Sequence, residues 1–101
     1  MKNKRYKIFK GLLRALSDDT RVDIVLFLAT GEKCVCKIYK HLKLPQNLVS
    51  HHLGILRKYE LIASRKEGRW VYYSLSRNAI AELRSILREI ISTKEKVSKC
   101  K

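Results

Sequence analysis

Cys34 and Cys36, separated by a single valine, are the residues of this 101-residue chain with the most distinctive chemistry. Thiolates bind soft ions such as As(III), Cd(II), Pb(II) or Zn(II), and two from one short segment can hold an ion in common. The same sulfurs can instead form a redox switch that is oxidised or persulfidated, or can be two small apolar residues packed at a helix junction. Lys33 and Lys37 flank the pair, and neighbouring cations lower thiol pKa values. Within a regular helix, residues two apart point to nearly opposite sides, so shared ligation requires an irregular or unwound start to the helix that carries them. Such a distortion would also displace the helix that follows. Cys100 is the only other thiol. It is a candidate third ligand, in its own chain or across a dimer, or an idle exposed thiol.

A second group of residues has the chemistry of DNA contact. Leu44-Pro45-Gln46-Asn47-Leu48-Val49-Ser50-His51-His52 sets a turn before a helix whose first exposed turns carry short polar side chains. Amide side chains such as Gln46 and Asn47 can pair bidentately with adenine, and Ser50 and His51 can bond to base edges or phosphate. The plainer alternative makes Gln46 and Asn47 helix caps and a histidine a packing residue, the role expected of His52. Downstream, Arg65, Lys66 and Arg69 mark the tip of a basic hairpin that would lie along phosphates or in a minor groove, or would simply be solvated. Trp70, Tyr72 and Tyr73 alternate along its second strand as core and interface aromatics do.

These side chains need elements to hold them. Ile8, Phe9, Leu12, Leu13 and Leu16 recur at steps of three and four, which predicts a first amphipathic helix over 6–16. The capping cluster Ser17-Asp18-Asp19-Thr20 then opens a second helix whose run from Val22 to Leu28 is so continuously apolar that it predicts a central core element ended by Gly31. A short third helix ends near Leu44 before Pro45. The fourth runs from about Gln46 to about Tyr59, with Leu48, Val49, Leu53, Leu56 and Tyr59 facing inward. Ile62 to Lys66 and Trp70 to Leu75 read as two strands joined through Glu67-Gly68. Ser76 caps a last helix with Ile80, Leu83, Ile86, Leu87, Ile90 and Ile91 on one broad face, which calls for a partner. From about residue 94 the chain loses periodicity and reads as a frayed basic tail.

The expected fold is therefore mainly α with a β-hairpin wing, a dimeric winged helix-turn-helix in the order α-α-α-α-β-β-α, built as a single domain over residues 1–101. The composition of 23 Lys and Arg against 9 Asp and Glu, a net charge of +14, biases the surface toward a polyanion, with nucleic acid ahead of an anionic membrane. No apolar run approaches the roughly 20 residues that cross a bilayer, and the N-terminus lacks a signal peptide's apolar stretch. A cytoplasmic location is expected, and an odd number of cysteines suits reduced thiols. No nucleophile, base and orienting group, and no phosphate loop, point to an enzyme.

Ala15-Leu16-Ser17-Asp18-Asp19-Thr20-Arg21, Cys34-Val35-Cys36, Val49-Ser50-His51-His52-Leu53 and Gly68-Arg69-Trp70-Val71-Tyr72-Tyr73, in this order, resemble the ArsR/SmtB family of metal-responsive repressors. The resemblance covers about Leu12 to Leu75 and implies a homodimer paired through its first and last helices. It also implies binding to an inverted-repeat operator and release by an inducer. Arsenite-responsive members often carry a third cysteine three residues after the second; here that position is Tyr39. The family's other metal site uses Asp and His of the last helix, and residues 77–100 contain neither. The leading expectation is a repressor released when arsenite, Cd or Pb binds Cys34 and Cys36, with no obligatory cofactor. The alternatives are the same fold sensing oxidants or persulfide, and an effector-independent architectural DNA-binding protein.

Overall fold

Local capping chemistry sets two of the helix starts. The Asp18 carboxylate accepts the Arg21 amide at 3.1 Å and opens α2 (Asp19–Leu28), and the Ser76 hydroxyl accepts the Ala79 amide at 3.3 Å to open the last helix. Each such cap is worth about 1 kcal/mol. Lys43 takes the left-handed conformation (φ 56°) after α3 (Val35–Leu42), and the Pro45 carbonyl receives the amides of Leu48 and Val49 at the start of α4 (Gln46–Lys58). The structure, a computed structural model, describes residues 4–92. It is completed by α1 (Lys4–Ala15), β1 (Lys33–Cys34), β2 (Ile62–Glu67), β3 (Trp70–Leu75) and α5 (Arg77–Ser92). The predicted tail and Cys100 lie outside the described residues.

One core joins α1 (Leu12, Ala15), α2 (Ile24, Leu28), α3 (Ile38), α4 (Val49, Leu53, Leu56) and the start of the hairpin (Leu61, Ile62). Burying a leucine or isoleucine stabilises by about 1.5–3 kcal/mol, so this cluster is the main source of folding free energy. Gly11 lets α1 approach α4 closely, because a Cβ there would lie 2.9 Å from the Tyr59 ring.

Three features differ from the sequence expectation. First, α2 is not buried all round: only Ile24 and Leu28 are buried, and Leu26 is 61% exposed. The helix packs against α3, α4 and β3, which cover a single stripe. Second, Leu48, expected to face inward, is 38% exposed, while His52 is buried beside Val49, Leu53 and Leu56 in the packing role expected of it. Third, the hairpin gains a third strand. The sheet order is β1-β3-β2, with Lys33 opposite Tyr73 and Cys34 opposite Tyr72, both pairings antiparallel. Two residues carry no alternating pattern of their own, so β1 forms because β3 offers it an edge. Within the hairpin Glu67 pairs with Trp70, so Gly68 and Arg69 are the loop. Positive φ falls on Gly68 (62°) and not on Arg69, as the first position of a type II′ turn requires.

α5 buries only Ile86 within the chain, leaving Leu87, Ile90 and Ile91 at 45%, 58% and 84% exposure. Its other side is clamped to α1. Arg5 bonds Glu82, Glu89 and the Ser85 hydroxyl, and Tyr6 donates to Glu89 at 2.7 Å.

Candidate nucleic-acid interface and thiol pair

α3, the left-handed turn at Lys43 and α4 form a helix-turn-helix. Gln46, Asn47, Ser50 and His51 are all exposed on α4 while Val49, His52, Leu53 and Leu56 anchor it. The inward stripe thus fixes which side chains face out. Gly54 lies on the same outward side, and an added Cβ would meet nothing within 4 Å. The chain's own packing asks for no glycine there, and a missing side chain lets the backbone come closer to a facing surface.

His52 and Arg21 hold this helix to the rest. The Arg21 guanidinium donates to the Ala15 carbonyl at 2.7 Å and lies 3.3 Å from His52 Nδ1. Because arginine can only donate, Nδ1 accepts and the ring proton belongs on Nε2. Burial pushes the His52 pKa below its ordinary value, with Arg21 adding to that and Asp18, 3.8 Å away, opposing it. Asp18 itself is held below the usual carboxylate range, chiefly by the Arg21 amide. With the folded pKa below the unfolded value of about 6.5, His52 stabilises the fold fully above that pH and loses its contribution as pH falls through the folded value. Urea unfolding across this range should show a stability slope that His52→Gln flattens. His52→Ala should cost about 1–3 kcal/mol by removing a buried ring from the core and the Nδ1 acceptor from Arg21, which keeps its bond to the Ala15 carbonyl. An identical slope in His52→Gln would remove the ring from this role.

On the wing, Lys66 and Arg69 are exposed, and Arg69 lies 5.7 Å from the centroid of the Trp70 ring. Arg65 is differently placed. Its guanidinium makes two bonds to Glu32, at 2.9 and 2.7 Å, and one to Glu67 at 3.1 Å, over the Tyr72 ring. These carboxylates raise the Arg65 pKa, and Arg65 in turn lowers that of Glu32. Arg65 therefore does not share the open setting of Lys66 and Arg69. Tyr73 packs against the core and Tyr72 is half-buried, while Trp70 is 48% exposed near the tip. Sequence reasoning did not find Glu32. The available signal was scarcity: nine acids among 23 bases make each carboxylate a candidate clamp.

The two thiols meet. Cys34 ends β1 with extended backbone (φ −65°, ψ 144°) and stands just before α3, while Cys36 is in its first turn. The helix boundary falls between them, so the opposed directions expected within a regular helix do not apply, and the sulfurs converge to 3.0 Å. Hydrogen bonding from Cys36 lowers the Cys34 pKa. The first-turn amides of Cys36 and Lys37 add to this, turned toward the sulfur without closing a capping bond, as does the Lys37 charge. The Cys36 pKa is raised, first by the bond to Cys34 and then by desolvation. Of the two sulfurs, Cys34 is therefore the one that ionises more readily. Among the described residues no group of three or more Cys, His, Asp or Glu converges on a point. Iodoacetamide should label Cys34 with a midpoint pH below the ordinary thiol value of about 8.5, and Cys36→Ala should raise it. A midpoint that does not move would show that Cys36 has no part in activating Cys34.

The profile of the family described as "Bacterial regulatory protein, arsR family" matches residues 18–64. An uncharacterized HTH-type transcriptional regulator of Methanocaldococcus jannaschii is 38% identical over 87 residues, covering 85% of this chain and 98% of that protein. The arsenical resistance operon repressor of Escherichia coli is 42% identical over 79 residues, 77% of this chain and 68% of that one. The chain belongs to the ArsR family. The solved structure of HlyU from Vibrio cholerae superposes on this ArsR-family chain with a TM-score of 0.74 at 30% identity, covering 91% of this chain and all of HlyU. The protein is accordingly a winged-helix transcriptional repressor and not an enzyme. Among the described residues no helix is long and apolar enough to cross a membrane.

Proposed function

We propose that this repressor is a homodimer that reads an inverted-repeat operator with α4 and the wing, and that a soft metal or metalloid held by Cys34 and Cys36 releases it. The observation that carries the inducer class is the 3.0 Å approach of the two sulfurs at the start of α3, the short helix that leads through one turn into the reading helix. The donors fit. Two thiolates sharing a tetrahedral ion at about 2.3 Å each lie about 3.8 Å apart, so the sulfurs need separate by less than about 1 Å. A bound ion would bridge the end of β1 and the first turn of α3, with Cys100, a partner chain or a solution thiol as a further donor. Similarity to an arsenical resistance operon repressor puts As(III) first, with Cd(II), Pb(II) and Zn(II) as the other ions suited to thiolate.

Gln46, Asn47, Ser50 and His51 are assigned to base and backbone contact, and Lys66 and Arg69 to phosphate. The apolar groove of about 530 Å³ on α5, lined by Ile80, Leu83, Leu87 and Ile91, supports pairing with a second copy. The test titrates reduced protein with each ion. It follows the ultraviolet thiolate charge-transfer band and the release of a labelled duplex selected in vitro for tight binding. A band that saturates together with release, and is lost in Cys34→Ser, is expected. No band and no release with any ion would end the metal reading.

The same 3.0 Å approach favours a second reading, in which peroxide or polysulfide is the signal. The Cys34 thiolate attacks peroxide to give a sulfenic acid and hydroxide, and Cys36 then displaces hydroxide from that sulfur to close a disulfide. Intact-mass measurement after peroxide, showing a loss of two hydrogens with release of DNA, distinguishes this from metal ligation.

A further inference from the structure

Cys34, Tyr72 and Arg65 stand in one cross-strand row. Cys34 is opposite Tyr72 between β1 and β3, and Tyr72 is opposite Arg65 between β3 and β2. A second connection runs through side chains. Arg65 lies 4.5 Å from the centroid of the Tyr72 ring and grips Glu32, two residues before Cys34, with its planar fork at 2.9 and 2.7 Å. The wing is thus tied twice to the segment that bears the thiols, once by backbone pairing and once by the Glu32–Arg65 clamp.

We propose that the thiol pair controls the wing as well as the reading helix, with the signal crossing the sheet from β1 and the Glu32–Arg65 clamp holding the hairpin at its DNA-binding angle. The proposal rests on Cys34 and Cys36 being the effector site. Separating or bridging the sulfurs shifts Cys34 relative to the first turn of α3, and β1 is two residues long, so it has little pairing to resist such a shift. The clamp is partly exposed, with Arg65 and Glu32 side chains at 50% and 35%. A bidentate pair gives it direction, and exposure keeps it weak enough to open. An unclamped hairpin must be ordered again whenever Lys66 and Arg69 meet DNA, which lowers affinity. Arg65 then acts as a positioning residue and Glu32 as its anchor.

The experiment uses the full chain with Cys100→Ser, so that only Cys34 and Cys36 react, and dibromobimane, which bridges two nearby thiols as each displaces one bromide and becomes fluorescent when both have reacted. Bridging is expected to weaken binding to the selected duplex by a factor within the roughly 5- to 150-fold range of allosteric couplings, and to speed amide exchange over residues 65–72. In Glu32→Gln the bimane signal should be complete, the hairpin should already exchange fast, and the effect of bridging on affinity should fall below about threefold. Because the readout is a ratio, the change in resting affinity caused by the lost charge cancels. Arg65→Gln should reproduce Glu32→Gln, and the double variant should add nothing, as for two ends of one interaction. Equal coupling in parent and Glu32→Gln, or a parent hairpin whose exchange ignores bridging, overturns the sheet route. A parallel arsenite titration of the parent keeps the two proposals apart. Failure of arsenite to bind removes the inducer assignment, and the bimane comparison still decides whether this route exists.

Discussion

Replacing Leu87 by glutamate is expected to convert the protein to monomers and to weaken binding to an inverted-repeat duplex by about 10²- to 10⁴-fold, the range that linking two modest binding events supplies. The chain leaves Leu87 at 45% exposure beside Ile90 at 58% and Ile91 at 84%, so a charge there meets water in the monomer and disturbs little of the internal core. In a two-fold dimer each such side chain is buried twice, once per copy, and burying a leucine or isoleucine is worth about 1.5–3 kcal/mol. A carboxylate in that place would lose this contribution and would also have to shed water. Glutamate is a good helix former, so far-ultraviolet circular dichroism should keep its helical signal. Sedimentation should report the halved mass. A variant that stays dimeric with its operator affinity unchanged would move the interface off α5. The clamp between Arg5, Glu82 and Glu89 fits this arrangement, because it seats α1 against α5 within one copy and leaves the apolar side of α5 turned outward.

The same helix shows which parts of the molecule are legible in sequence. The three-and-four spacing of Ile80, Leu83, Ile86, Leu87, Ile90 and Ile91 marks the apolar face, and Ser76 marks where it begins. Spacing reports amphipathicity without saying what covers the face: among the described residues Ile86 is buried, Ile80 and Leu83 are half-buried against the core, and Leu87, Ile90 and Ile91 stay exposed. On α4 the pattern placed His52 with the packing residues, where it is found, but it also turned Leu48 inward. Leu48 lies about 100° round the helix from Val49, at the edge of the stripe centred on Val49, His52, Leu53 and Leu56, and an apolar residue at a stripe's edge reads the same in sequence as one at its centre. β1 was not legible for a related reason. Its two residues acquire strand geometry from Tyr72 and Tyr73, some 40 positions away in the chain. That one strand decides the thiol geometry, because it ends the extended backbone at Cys34 and starts the helix after it. The grip of Glu32 on Arg65 depends on the same strand, which brings the loop before Cys34 alongside the wing. Local chemistry therefore located the reactive residues, and long-range pairing decided how they face one another.

That division between local and long-range information bears on the reading helix, where outward facing is fixed by the core and the choice of bases is fixed by what faces out. Ser50→Ala combined with His51→Ala should lower affinity for the selected duplex by about 1–3 kcal/mol for each base contact removed, roughly 5- to 150-fold per residue. Both side chains are exposed and Val49, His52 and Leu53 remain in place, so folding and dimerisation should be unchanged. Binding to a scrambled duplex should change far less, since phosphate contacts hold there and carry no sequence information. Arg69→Ala supplies the opposite signature: similar weakening on both duplexes and a salt dependence shallower by about 0.9 per lost phosphate contact. If the α4 pair weakened both duplexes alike while Arg69→Ala lost affinity at a single base pair, the two elements would have to exchange roles. The wing would then read sequence and α4 would hold the backbone. With Gly54 bare on the outward face of α4 and Arg69 exposed at a two-residue turn, the geometry favours close approach by the helix and a reaching cation on the wing.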